Sequence, residues 1–107
     1  MTIQVVACLM TNPNETEALN SYFSVAGRLI ESAGAQITQK IELGDPLIGD
    51  RPAEILMLVD YPDFDAFERV LRSSEYKSII PIRKKAFLKY NICIVNENSV
   101  FEELDLA

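Results

Sequence analysis

The chain has no histidine. That removes the commonest general base, the commonest metal ligand and the usual proximal haem ligand. Ser-His and Cys-His nucleophilic machinery is excluded within this chain. Any catalysis falls to carboxylates, tyrosines, Lys, Arg or a cofactor. Cysteine is scarce as well. Cys8 and Cys93 are too few for a disulfide framework and lack metal-ligand spacing. Both sit in apolar strand-like runs, so buried free thiols are expected, with a redox pair as the alternative. No apolar run approaches the roughly 20 residues that span a bilayer, and no membrane partner is expected. The N-terminus, MTIQVVACLM, lacks a basic flank and a clear cleavage site, which argues against a signal peptide. A cytoplasmic location is the expectation. Paired-carboxylate spacing, metal clusters and Gly-rich phosphate loops are missing too. Neither a metal nor a cofactor is expected.

What is present suits a single globular domain. The 107 residues are 49% apolar and 24% charged. The domain is expected over residues 1–96, with an acidic tail over 97–107. The net charge of −6 argues against nucleic acid as a partner. Yet seven of the ten cations lie between residues 69 and 89, opposed there only by Glu75. That segment is either a solvated basic face or a site for an anion or an acidic partner.

The elements follow from periodicity. IQVVACLM (3–10) reads as a strand apolar on both sides. Asn12, Pro13 and Glu15 are cap, first-turn proline and capping-box acid for a helix. Its apolar face carries Leu19, Tyr22, Ala26, Leu29, Ile30 and Ala33, and Gly34 ends it. Residues 35–43 alternate: Ala35, Ile37, Gln39, Ile41 and Leu43 on one side, a wet face on the other. After a Gly/Asp/Pro loop, AEILMLVDY (53–61) is continuously apolar. Asp63 caps a second helix with Phe64, Phe67, Val70 and Leu71 as its core stripe. Asp65–Arg69 and Glu68–Arg72 are spaced to pair on its outer side. LKYNICIV (88–95) closes the series, with Leu88, Tyr90, Ile92 and Ile94 on one side.

The order βαββαβ predicts an α+β sandwich: a four-stranded antiparallel sheet with both helices on one face. Helices cover only one side of such a sheet. The first and third strands are apolar on both, so the second face needs a cover. Exposing large apolar side chains costs about 1.5–3 kcal/mol each. A second copy, sheet on sheet in a two-fold homodimer, is the simplest cover. The alternative is a monomer whose own tail folds over the sheet.

Residues 72–87, RSSEYKSIIPIRKKAF, start as a helix but carry Pro81 where it would still be running. Pro81 cannot donate to the Lys77 carbonyl and its ring crowds it, so a break is expected near Ile79–Ile80. Arg83, Lys84 or Lys85 could serve the freed carbonyls, or Arg83 could pair with Asp60 or Glu75. The other reading has Arg83 and Tyr76 converge with Tyr61 between helix layer and sheet. There the guanidinium fork suits a carboxylate or phosphate, and the helix opening at Ser73–Ser74 has the polarity an anion needs. Tyr22 and Tyr90 are assigned to the core.

The run from Asp60 to Arg83, with Asp60, Tyr61, Pro62, Phe64, Ser73, Glu75, Tyr76 and Arg83, resembles the signature of domain-of-unknown-function family 1330. It departs at Ser74, where a proline is usual, and at Gly34-Ala35, where Gly-Gly is expected. The resemblance implies a ferredoxin-like fold in a dimeric α+β barrel and no established activity. Neighbouring families of that superfamily include cofactor-free monooxygenases, isomerases and small-ligand-binding proteins. The expected site is therefore Asp60 as base, with Tyr61, Phe64, Tyr76 and Arg83 contacting a small, partly apolar or anionic ligand. Three functions fit: a binding protein, a cofactor-independent isomerase or monooxygenase using Asp60 and Arg83, and a structural dimer without ligand.

Overall fold

Val5, Ala7 and Leu9 are buried at alternate positions of β1 (Ile3–Thr11), and the residues between them are half-buried. This period-two pattern sets which side of the sheet meets the helices. The computed structural model describes residues 2–96, so the expected tail over 97–107 lies outside the described residues. After β1 come α1 (Thr16–Ser32), β2 (Gln36–Glu42), β3 (Ile55–Tyr61), α2 (Phe64–Arg72), α3 (Ser74–Ser78), α4 (Ile80–Ala86) and β4 (Phe87–Ile94). The strands form one antiparallel sheet in the order β2-β3-β1-β4. The expected βαββαβ sandwich is what forms, with the second helical region in three pieces.

Register carries the face assignment across the sheet. Val5 pairs with Val59 and Ile94, Ala7 with Met57 and Ile92, and Leu9 with Ile55 and Tyr90. These rows face the helices and join Tyr22, Ala26, Ala66, Val70 and Tyr76 in one core. Leu9, 2% exposed, is its most deeply buried large side chain. The alternate rows, Gln4–Asp60, Val6–Leu58 and Cys8–Leu56, occupy the open face. On the far side of β1, Val6 pairs with Cys93 and Cys8 with Asn91. The thiols were expected to be buried. In the single chain Cys8 is half-buried and Cys93 is exposed, because both belong to the uncovered face.

Both edge strands are bulged, which the alternation did not reveal. In β2 the register shifts between Ile37 and Gln39, so Thr38 is the extra residue. Its hydroxyl donates to the Leu58 carbonyl at 3.3 Å and pins the irregularity. Ile37 therefore pairs with Val59 on the helix side, while Ile41 pairs with Leu56 on the open side. The expected single face of Ile37, Gln39 and Ile41 is split, since one added residue inverts every later side chain. In β4 a second irregularity falls opposite Met10 and Thr11. Phe87 takes the buried place expected for Leu88, which is 63% exposed.

Local termini explain the remaining differences. Asn12 does not cap α1. Its backbone N–H is held by the Ala86 carbonyl at 2.8 Å, and its side chain accepts from the Asn14 N–H at 3.1 Å. The chain thus completes a turn at Pro13–Asn14 before α1 begins at Thr16. At the other end Gly34 has φ of 76°. Ala35 N–H reaches the Ile30 carbonyl and Gly34 N–H the Glu31 carbonyl, the paired bonds of a Schellman cap. Asp63 caps α2 as expected, accepting from Ala66 N–H at 2.7 Å. The buried stripe of α2 is Ala66 and Val70 with Phe67 beside them. Phe64 and Leu71, expected in that stripe, are largely exposed. Glu68 pairs with Arg72 at 2.7 Å.

Pro81 acts as the sequence requires. α3 ends at Ser78, Ile79 serves as cap to both neighbours, and Pro81 falls in the first turn of α4. The break turns the chain so that α4 packs along α1 and delivers Arg83 toward α3.

Candidate functional site

A cleft of about 310 Å³ lies between α1 and the helix side of the sheet. Its cause is side-chain size. Ala7 on β1 and Ala26 and Gly27 on α1 are among its lining residues, and their small side chains leave space that larger ones would fill. Around them Val5, Leu9, Met57, Val59, Ile30, Ile37 and Ile92 give an almost wholly apolar wall. Polar atoms come from Tyr22, Tyr61, Tyr90 and Lys40. Lys40 arrives there through the β2 bulge, which pairs it with Met57 on the helix side.

At the β4 side of the cleft three phenols meet. Tyr22 Oη lies 3.0 Å from Tyr76 Oη. It is also hydrogen-bonded to Tyr90 Oη. Tyr76 and Tyr90 hydroxyls are 3.4 Å apart. Arg83 Nη1 donates to Tyr76 Oη at 3.0 Å. The guanidinium also stands over the Tyr90 ring, 4.9 Å from its centroid, within cation–π range. Edge-to-face packing of Tyr22 on Phe23, Phe87 and Tyr90 holds the rings in place. Burial, reinforced by the adjoining Tyr90, pushes the Tyr22 hydroxyl far above the ordinary phenol value. Burial raises Tyr90 likewise, and it pushes Tyr61 up to about 12. Tyr22, Tyr61 and Tyr90 are therefore neutral donors at neutral pH.

Arg83 carries the charge of this cluster. Burial alone would lower its pKa, but the bond to Tyr76 and the surrounding phenols outweigh that and raise it. Neither expected ion pair forms. Glu75 is engaged by Arg28 at 3.4 Å, and Asp60 accepts from Gln4 Nε2 at 2.8 Å. Among the described residues Arg83 has no carboxylate within ion-pair distance. It also does not serve a freed helix carbonyl. The N–H of Tyr76 in the first turn of α3 is taken by the Ser73 hydroxyl at 3.1 Å, so that group is not left for an anion.

The five sequence-derived site residues thus separate. Tyr76 and Arg83 are joined to each other and reach the cleft only through Tyr22 and Tyr90, whereas Tyr61 lines the cleft itself. Phe64 rests on Phe67 at the outer end of α2, 49% exposed. Asp60 pairs with Gln4 on the open face, across the sheet from the cleft. Tyr22, Tyr90 and Lys40 were not foreseen in the cleft. The first two carried a readable sign: polar-tipped aromatics on two elements that share a core need a common partner. Lys40 carried none, because the bulge is silent in the pattern. Among the described residues no three His, Cys, Asp or Glu side chains gather as metal ligands. No helix among them is long and apolar enough to cross a membrane.

No curated protein matches the chain. Solved structures do. A protein of unknown function from Rhodopseudomonas palustris is similar at a TM-score of 0.78 and 18% identity, over 92% of this chain and 83% of that one. SnoaB, a cofactor-independent oxygenase from Streptomyces nogalater, is similar at a TM-score of 0.63 and 11% identity, over 92% and 95% of the two chains. A dimeric protein of unknown function with a ferredoxin-like fold from Bacteroides fragilis is similar at 0.56 and 10% identity, over 88% and 94%. At these identities the likeness establishes the ferredoxin-like fold. The model of the domain of unknown function DUF1330 matches residues 5–98, and the chain belongs to that family.

Proposed function

We propose that the protein is a homodimer whose subunits each bind a small, largely apolar molecule in the cleft between α1 and the sheet. The observation that carries this reading is the cleft itself. Its 310 Å³ are walled by core-facing residues and open where a filled core would be expected. Dimerisation is supported by the open face, where Val6, Met10, Leu56 and Leu58 stay half-buried without a covering layer. It draws further on the likeness to a dimeric protein of the same fold. The likeness to a cofactor-independent oxygenase keeps the enzymatic alternative in view. The position of Asp60 on the opposite face speaks against Asp60 as its base, so binding is the reading favoured here. The unfilled cleft likewise disfavours a purely structural dimer.

The test is native mass spectrometry of the purified protein together with a Gly27→Phe variant. A Cβ at Gly27 meets nothing within 4 Å, so the larger ring can enter the cleft. We expect a small-molecule adduct on each wild-type subunit and none on Gly27→Phe at unchanged thermal midpoint. Equal adducts on both proteins, or none on either, would overturn the proposal.

A further inference from the structure

Resting on the reading of the cleft as a binding site, we propose that its Tyr22–Tyr90 end is an oxyanion pole that takes the phenolate oxygen of an aromatic ligand. The direction of the hydrogen bonds supports this. Arg83 can only donate, so Tyr76 Oη accepts from it at 3.0 Å. In the Tyr76–Tyr22 and Tyr22–Tyr90 contacts either oxygen can donate; the order that continues outward from Arg83 sends the Tyr76 proton to Tyr22, 3.0 Å between oxygens, and the Tyr22 proton to Tyr90. The Tyr90 proton is left over. The Tyr76 and Tyr90 oxygens are 3.4 Å apart, beyond the usual O–H···O range of about 2.5–3.0 Å, and Tyr90 lines the cleft, so in this order its proton is the one free for a ligand.

Each bond in such a chain polarises the next, and a guanidinium lies at its head. The outcome is a single strengthened O–H donor at an apolar wall. A carboxylate presents two oxygens and would leave one unserved, whereas a phenolate presents one oxygen on a flat ring. No carboxylate lines the cleft among the described residues, and Lys40 adds a second positive charge from the β2 edge.

The probe pair is umbelliferone, a fused two-ring phenol, and coumarin, which lacks the hydroxyl. The excitation spectrum separates phenol from phenolate. We expect umbelliferone bound as phenolate below its free pKa and about tenfold tighter than coumarin. Arg83→Met, outside the cleft lining, should reduce it to the affinity of coumarin while coumarin binding persists, and Tyr90→Phe should abolish the phenolate spectrum. Should Tyr90→Phe fail to fold, the partly exposed Arg83→Met carries the test. Umbelliferone bound as neutral phenol with coumarin-like affinity overturns the inference and leaves the binding cleft standing. Failure of both probes to bind the wild type also overturns the inference, while the cleft reading is decided by the adducts on wild type and Gly27→Phe.

Discussion

The two faces of the sheet differ in an instructive way. The helix-covered side has the buried rows Val5–Val59 and Ala7–Met57, yet it is not filled. The open side lacks a cover, yet it is not polar: Val6, Cys8, Leu56 and Leu58 lie next to one another on its two inner strands. A self-sufficient two-layer domain would show the reverse on both counts, with a packed interior and a wet exterior. Each departure points to something outside the chain. Small residues on the covered side leave volume for a molecule. Large residues on the open side leave area for another sheet.

The sharpest way to break this contrast is Leu58→Asp. In a sheet-on-sheet dimer it buries an unpaired charge in each subunit, at a cost of about 3–5 kcal/mol per site. Sedimentation should shift from dimer to monomer. An unchanged wild-type monomer at micromolar concentration would remove the case for a paired open face. Leu9→Ala is the matching change on the covered side. It should lower unfolding free energy by about 2–5 kcal/mol in urea titration. That loss should not depend on protein concentration, whereas the effect of Leu58→Asp should.

Alkaline pH singles out the covered side in a milder way. Tyr22, Tyr61 and Tyr90 all have pKa values raised by burial. Below the ordinary phenol value of 10.0 their contribution is fully present. Above it the unfolded chain loses protons first, so stability falls as pH rises, through about 12 for Tyr61. Urea midpoints measured against pH should decline from about pH 10, less steeply for Tyr61→Phe. Asp60→Asn should have the smallest effect. Being across the sheet, it should change cleft binding by less than about 0.5 kcal/mol by calorimetry. A larger loss would reopen its role as a base.

Most of the fold was legible because core faces are written as alternation and helix ends as caps. Asp63, Gly34 and Pro81 each did what its chemistry requires. Asn12 did not, because a long-range bond to Ala86 outcompeted a local cap, and no local pattern reveals that. The site was legible only in part. Tyr76 and Arg83 sit seven residues apart around a proline break, so their meeting followed from local geometry. Tyr22 and Tyr90 reach them from elements 54 and 14 residues distant from Tyr76, which only the assembled sheet brings close. Asp60 stands one step of a period-two strand away from the cleft side. Burial of its neighbours Val59 and Tyr61 is what places Asp60 on the opposite face.

The bulge at Thr38 gives the cleft wall a dial that the core does not feel. If β2 flattened against β3 with Thr38 restored to the ladder, Gln39 would rotate inward and Lys40 outward, replacing an ammonium with a neutral amide. None of the inner-strand residues would change. Sliding an edge strand would therefore change the polarity of the cleft without substituting any residue that keeps the protein folded.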